Sequence, residues 1–199
     1  MAIHYSEAPP ADQQTTPAAA AAAASSDDAG LFSLDLVSPD IAAQLPDGYR
    51  VRSLRKSDYD SGYLDCLRVL TTVGDFDRDA WHARYDEFAA AKGTYYILVV
   101  EDGEGRVVGT GGLIVERKIV HNLGSVGHIE DIAVAKDQQG KKLGLRIIQA
   151  LDYISERVGC YKSILDCSEK NEGFYIKCGF KRAGLQMAHY YEDGKSKAT

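Results

Sequence analysis

The sequence predicts an α/β domain with a mixed, mostly antiparallel sheet flanked by helices, and three observations predict it. Thr94–Val100 and Arg106–Val115 are strongly β-forming and are separated only by the turn Asp102–Gly105, so an antiparallel hairpin is expected. The apolar run Gly127–Val134 then passes through a polar turn into a long amphipathic helix and a short strand, which reads as a β–α–β unit. Finally, 199 residues are enough for one domain with a real core and leave little room for a second.

Residues 1–30 are rich in Ala, Pro, Gln, Ser and Asp and nearly free of large apolar side chains, so they cannot bury enough surface to offset their ordering entropy. We read them as a disordered tail. Residues 31–46 form a linker whose Leu31–Val37 stretch is apolar enough to dock on the domain, with Pro39 and the Leu45–Gly48 turn marking the boundary. The folded domain then runs over residues 47–192, and residues 193–199 are expected to fray. Tyr49–Leu54 reads as a first strand. Ser57 looks like the N-cap of a helix carrying Leu64, Leu67 and Leu70 on one face. A second helix spans Ala80–Ala91, with Trp81, Tyr85 and Phe88 as a core stripe. After the hairpin, Arg117–Asn122 is a loop or a strand continuation.

The alternation slips inside Gly127–Val134: Ile129 lies in one register, Ile132 and Val134 in the other. One extra residue near Glu130–Asp131, a β-bulge, would return all three to one face; burial on both faces is the alternative. The helix Lys141–Val158 has Leu143, Ile147, Ile148, Leu151, Ile154 and Val158 in one stripe, with Gly159 where a C-terminal glycine belongs. A short strand is expected at Ser163–Cys167, a short helix at Asn171–Lys177 ended by Cys178–Gly179, and a last strand at Leu185–Tyr191.

The formal net charge is -6, placed unevenly: no Lys or Arg precedes Arg50, and from Asp47 onward acids and bases balance. A near-neutral domain argues against a nucleic-acid surface. Cys66, Cys160, Cys167 and Cys178 form no C-x-x-C pair, so no metal site is expected and reduced thiols in a cytoplasmic protein are the default. The Ala18–Ala24 run lacks a basic flank and is too short to span a membrane.

Gln139–Gly140–Lys141–Lys142–Leu143–Gly144 matches neither a P-loop nor G-x-G-x-x-G. Even so, a helix N-terminus with two lysines suits a diphosphate, because first-turn N–H groups lack helical partners. A Q-x-x-G-x-G-like turn after a bulged strand, followed by a helix, a strand and N-x-x-x-Y, resembles the GNAT superfamily of acetyl-CoA-dependent N-acetyltransferases. Further blocks resemble the glucosamine 6-phosphate N-acetyltransferase family within it: Leu70–Gly74, Lys118–His121, Gly127–Val134, Cys160–Lys162, Ile164–Cys167, Glu169–Asn171 and Phe174–Phe180. The resemblance covers roughly Leu45 to Met187 and leaves the preceding tail unmatched.

That resemblance implies a GNAT acyl-CoA N-acyltransferase fold with a bulged central strand. It also implies transfer of the acetyl group of acetyl-CoA, as cosubstrate, to the amine of glucosamine 6-phosphate by direct attack. Ile132, Ala133 and Val134 would face the pantetheine through backbone, Gln139, Gly140, Lys141, Lys142, Leu143, Gly144 and Leu145 would hold the diphosphate, and Asn171 would contact the CoA arm. Tyr175 would lie near the sulfur as the acid for the leaving thiolate. The sugar side would comprise Thr71, Lys118, Ile119, Val120, His121, Glu130, Asp131, Tyr161, Lys162, Asp166 and Tyr190, with Glu130 and Asp166 as catalytic carboxylates. No enzyme nucleophile is required, and the protein would be a homodimer with its C-terminal strand near the partner's site. Two positions depart from the family pattern. Lys142 stands where a second glycine is expected, tolerable if the residue is helical. Tyr190 stands where a basic residue would reach the phosphate, and it supplies no charge. Acetylation of another amine, such as a polyamine or a peptide N-terminus, and a non-catalytic acyl-CoA-binding module are the competing expectations; Arg117, Lys118, His121 and Lys162 favour an anionic substrate over a polycation.

Overall fold

The computed structural model describes residues 29–190. The expected tail, apart from Ala29 and Gly30, and residues 193–199, expected to fray, lie outside these residues. Five strands form one sheet in the order β1 (Arg50–Ser53), β2 (Tyr95–Glu101), β3 (Val107–Arg117), β4 (Ser125–Val134) and β5 (Cys160–Ile164). Neighbours are antiparallel up to β4, and β4 pairs with β5 in parallel. The parallel step goes with the crossover through the long helix between β4 and β5, since parallel neighbours need such a connection.

Two cores sandwich the sheet. Along β2, Leu98 and Val100 enter one cluster while Val99 enters the other, which is the period of two made visible. The larger core is built by α5 (Leu143–Arg157), whose Leu143, Ile147, Ile148, Leu151 and Ile154 are fully buried against β2, β3 and β4. On the opposite face, α2 (Tyr63–Leu67) and α3 (Arg78–Ala90) contribute Tyr63, Leu64, Trp81 and Tyr85. Asp77 caps α3 by accepting from the Ala80 N–H at 2.9 Å, and Phe88 stacks on Tyr95. The segment before β1 includes α1 (Pro39–Ala42), capped by Ser38, and it lies on the domain: Leu31 N–H donates to Leu54 C=O at 3.1 Å and Val37 is buried in the larger core.

Three expectations need correcting. The helix placed after Ser57 is instead a 3-10 turn at Lys56–Tyr59, followed by α2. Gly62 at φ +90° breaks the chain between them, and Asp58, not Ser57, accepts from the Arg55 N–H. Leu70 consequently falls beyond α2 and is exposed. The short strand is Cys160–Ile164 rather than Ser163–Cys167, because its pairing with β4 begins at Ser125 and stops at His128. Leu185–Tyr190 forms no strand with any described residue; Leu185, Met187 and Tyr190 are 87–90% exposed, and Tyr191 lies outside the described residues.

Asp58 is spent on a buried ion network. The Arg52 guanidinium grips it with two hydrogen bonds, at 2.9 and 2.7 Å, and turns its Nε to Glu101 at 2.6 Å. Burial would raise the Glu101 carboxyl, but the Arg50 and Arg52 bonds overcome it and hold the group below its usual range.

Candidate active site

The site forms where the sheet opens. β3 pairs with β4 along the length of both, but β5 leaves β4 after His128↔Ile164. From Ile129 to Val134 the β5-side edge of β4 therefore has no strand partner among the described residues. Backbone N–H and C=O groups on such an edge need partners, and an extended ligand can supply them.

The bulge sits in this stretch. Thr110 pairs with Ala133 and Gly112 with Glu130, so Asp131 and Ile132 together oppose Gly111. Asp131 takes a left-handed φ of +54°, a conformation Asp tolerates better than most residues. The extra residue lets Ile129, Ile132 and Val134 all pack on the larger core, while Ala133 is buried on the other face. Close approach of α5 depends on glycine in β3: a Cβ on Gly111 would lie 2.5 Å from Ile132 Cδ1 and 2.8 Å from Ile147 Cγ2.

The turn Lys136–Lys142 carries the open edge into α5. Gly140 is left-handed at φ +86°, and Lys142 is left-handed as well, at φ +61°. Lys142 is thus not helical, contrary to the condition that would have made its Cβ costless. It occupies a conformation suited to the glycine it replaces, at roughly 1 kcal/mol. Gln139 and Gly140 are exposed at the turn, and Gln139 Nε2 donates to Val134 C=O at 3.4 Å. Leu143, Gly144 and Leu145 form the first turn of α5, with Leu143 buried.

Three side-chain groups line up along β4, the first at its open stretch and the other two toward its β5-paired half. Glu130, Asp131 and Asp166 form an acidic one. Burial, then the Asp131 and Asp166 charges, push the Glu130 carboxyl above its ordinary value. Tyr175, on α6 (Glu169–Lys177), packs on the larger core and lies within electrostatic reach of Glu130; burial, then Cys167, Cys178 and Glu130, raise its phenol. At neutral pH it keeps its proton. Asn171 is exposed on the same helix, its N–H bonded to Ser168 C=O at 2.9 Å.

The second group is aromatic and cationic. His121 lies over Tyr161 with ring centroids 4.5 Å apart, and Lys162 Nζ is 5.6 Å from the Tyr161 ring. His121 belongs to the turn α4 (Val120–Leu123), in which His121, Asn122 and Leu123 are all left-handed at φ +53° to +62°. Three consecutive non-glycine residues in that region carry strain, and Ile119, Val120 and Leu123 are exposed beside it. The third group contains two residues that sequence reasoning did not assign. Glu116 accepts from Lys118 at 2.6 Å and pairs with His128 Nε2 at 2.9 Å, and both partners hold it below the usual carboxylate range. Nothing in the spacing of Glu116 and His128, twelve residues apart on separate strands, announces this pairing.

Two assigned residues stand elsewhere. Thr71 is exposed in an open cleft lined by Arg68 and Leu70 to Asp75, and Tyr190 projects from the unpaired C-terminal segment. Among the described residues neither has a hydrogen bond or ring contact to the acidic or aromatic groups. The four cysteines are free, and burial raises the Cys66 thiol to about 11. Among the described residues no cluster of His, Cys, Asp and Glu could hold a metal, and no helix is long and apolar enough to cross a membrane.

A strand bulged at its open edge, feeding a turn and helix, coincides with a family pattern: residues 51–180 match the acetyltransferase (GNAT) family. A glucosamine 6-phosphate N-acetyltransferase of Candida albicans is 47% identical over 143 residues, covering 72% of this chain and 96% of that one. The chain belongs to the GNAT acetyltransferase family. Within it, a glucosamine 6-phosphate N-acetyltransferase of Dictyostelium discoideum is 43% identical over 145 residues, 72% of this chain and 92% of its own. The crystal structure of the Arabidopsis thaliana glucosamine-6-phosphate N-acetyltransferase superposes with a TM-score of 0.71 at 34% identity, covering 72% of this chain and 99% of that one. The GNAT fold expected from the sequence is therefore the fold observed, down to the bulged fourth strand.

Proposed function

We propose that this GNAT enzyme transfers the acetyl group of acetyl-CoA to the amine of D-glucosamine 6-phosphate, a step towards UDP-N-acetylglucosamine. The observation that carries the reading is the arrangement of side chains along β4. An acidic group able to receive an amine and a protonated phenol lie at the open stretch of β4, and Lys118, His121 and Lys162, able to receive a phosphate, lie toward the β5-paired half of the same strand. The names of the relatives, which match over nearly their whole length, support the same substrate.

Acetyl-CoA supplies the activated acyl group when bound, and the residues present fit it: an extended free edge for pantetheine, and a lysine-bearing turn at a helix N-terminus for diphosphate. In this reading the backbone of Ile132, Ala133 and Val134 orients the thioester and an N–H there polarises its carbonyl. Gln139 to Leu145 hold the diphosphate, and Asn171 contacts the CoA arm. Lys118, His121 and Lys162 bind the sugar phosphate, with Thr71, Ile119, Val120, Asp131 and Tyr161 lining the sugar. Glu130 and Asp166 orient the amine and take its proton, directly or through water. The amine nitrogen forms the new bond to the acyl carbon, the carbon–sulfur bond breaks, and Tyr175 returns a proton to the departing thiolate.

The reading also makes the protein a cytoplasmic homodimer. Exposure of Leu185, Met187 and Tyr190, apolar or aromatic residues on a segment with no partner strand among the described residues, supports a place for that segment against a second copy, with Tyr190 near the partner's site. Thiol release with glucosamine 6-phosphate, glucosamine and spermidine tests the substrate. Turnover that is fastest with the sugar phosphate is expected. Silence with it and activity on spermidine would replace the reading with a polyamine acetyltransferase.

A further inference from the structure

The turn before α5 is held by a polar network that the family pattern does not assign. The Tyr49 ring packs on the larger core and its N–H donates to Pro46 C=O at 3.0 Å, so its hydroxyl has a fixed position. That hydroxyl donates to Gln138 Oε1 at 2.6 Å and accepts from Lys141 Nζ at 2.7 Å. Lys141 Nζ donates a second bond to Gln138 Oε1 at 2.6 Å and stands 5.1 Å from the Tyr49 ring centroid. Gln138 Nε2 in turn donates to Asp137 Oδ2 at 3.0 Å, and Arg106 Nη2 holds that carboxylate at 2.7 Å.

The partners of Lys141 are all electrically neutral. The one carboxylate of the network, Asp137, is taken by Arg106, and Lys141 makes no ion pair among the described residues. An exposed lysine ordinarily wanders over many rotamers, at an entropic cost of up to about 2 kcal/mol when a ligand fixes it. Here two short hydrogen bonds and a cation–π contact fix the ammonium beforehand while leaving its charge uncompensated. It is fixed one residue after the left-handed Gly140 and two before the N-terminus of α5.

We propose that Tyr49, acting with Gln138, is a positioning residue that presents Lys141 as a pre-oriented cation to the diphosphate of acetyl-CoA. The inference rests on the acetyl-CoA reading of this turn. It assigns to Tyr49, 92 residues away in the chain, a share of cofactor affinity that no property of the turn itself would reveal. The network makes the site selective for a thioester that carries the diphosphate over one that does not.

Steady-state kinetics with acetyl-CoA and with S-acetyl-pantetheine, which has the same thioester but no diphosphate, test it. Wild-type protein should prefer acetyl-CoA. Tyr49→Phe keeps the ring and the core and removes only the hydroxyl; it should lower kcat/KM for acetyl-CoA about five- to tenfold and that for S-acetyl-pantetheine less than about twofold. Gln138→Glu places a carboxylate against Lys141 and should produce the same selective loss with the fold intact. An equal loss for both thioesters, or no loss for acetyl-CoA in either variant, would overturn the positioning role. Wild-type protein that uses the two thioesters equally would overturn the diphosphate reading of the turn, and the positioning role with it.

Discussion

Gly111 of β3 faces Ile132 of β4 across the ladder, and the space between them has no room for a Cβ. The substituent would come 2.5 Å from Ile132 Cδ1 and also meet Ile147 and Leu151, at 2.8 and 2.9 Å. A bulge on one strand and a glycine on its neighbour are thus one feature. The extra residue pushes Ile132 toward α5, and the missing side chain makes way for it. Gly111→Ala should cost about 1–3 kcal/mol by overpacking and disturb the open edge, lowering both Tm and kcat/KM. Gly173→Ala, on α6 with open space around it, should leave Tm equal or slightly higher.

Tyr175 keeps its proton because burial and neighbouring negative charge both oppose ionisation. Tyr175→Phe should lower kcat by about a hundredfold or more with little change in KM for acetyl-CoA, as removal of a general acid predicts. A parallel change in both constants would deny Tyr175 that role. An effect on acetyl-CoA affinity alone, in a protein without turnover, would favour a binding module.

The raised Glu130 carboxyl gives a pH dependence with a definite sign. A group whose folded value is raised stays neutral to higher pH, so its ionised form becomes available later than that of an ordinary carboxylate. The acid limb of kcat/KM should lie above the usual carboxylate range, and Asp166→Asn, by removing one repelling charge, should move it to lower pH. Stability follows the same linkage. The neutral form favours folding below the unfolded value, and that contribution is lost as pH rises through the folded one, so Glu130→Gln should raise Tm more at pH 7 than at pH 4.

Lys142 carries the cost of a left-handed backbone on a residue with a Cβ. Lys142→Gly should stabilise the protein by up to about 1 kcal/mol, read as a rise in Tm. No change would mean that contacts of the lysine side chain offset the strain.

Much of this fold could be read in advance, and the residues show why. The stripe of α5 and the hairpin of β2 and β3 are periodic, and periodicity is a local signal. The bulge was legible as a slip between Ile129 and Ile132. What escaped was set by partners far along the chain. Asp58 is drawn into the Arg52 ion network and Gly62 turns left-handed, so a continuous helix after Ser57 was not available. Leu185–Tyr190 has the pattern of a strand but no strand beside it among the described residues. Glu116 with His128, and Tyr49 with Lys141, meet through polar contacts between separate elements, for which a single sequence holds no spacing rule.

The most direct test is the initial-velocity pattern when acetyl-CoA and glucosamine 6-phosphate are varied together. Direct attack by the amine requires both substrates at the open edge of β4 at once, so double-reciprocal lines should intersect. Parallel lines, the mark of an acyl-enzyme formed before the sugar arrives, would contradict the account.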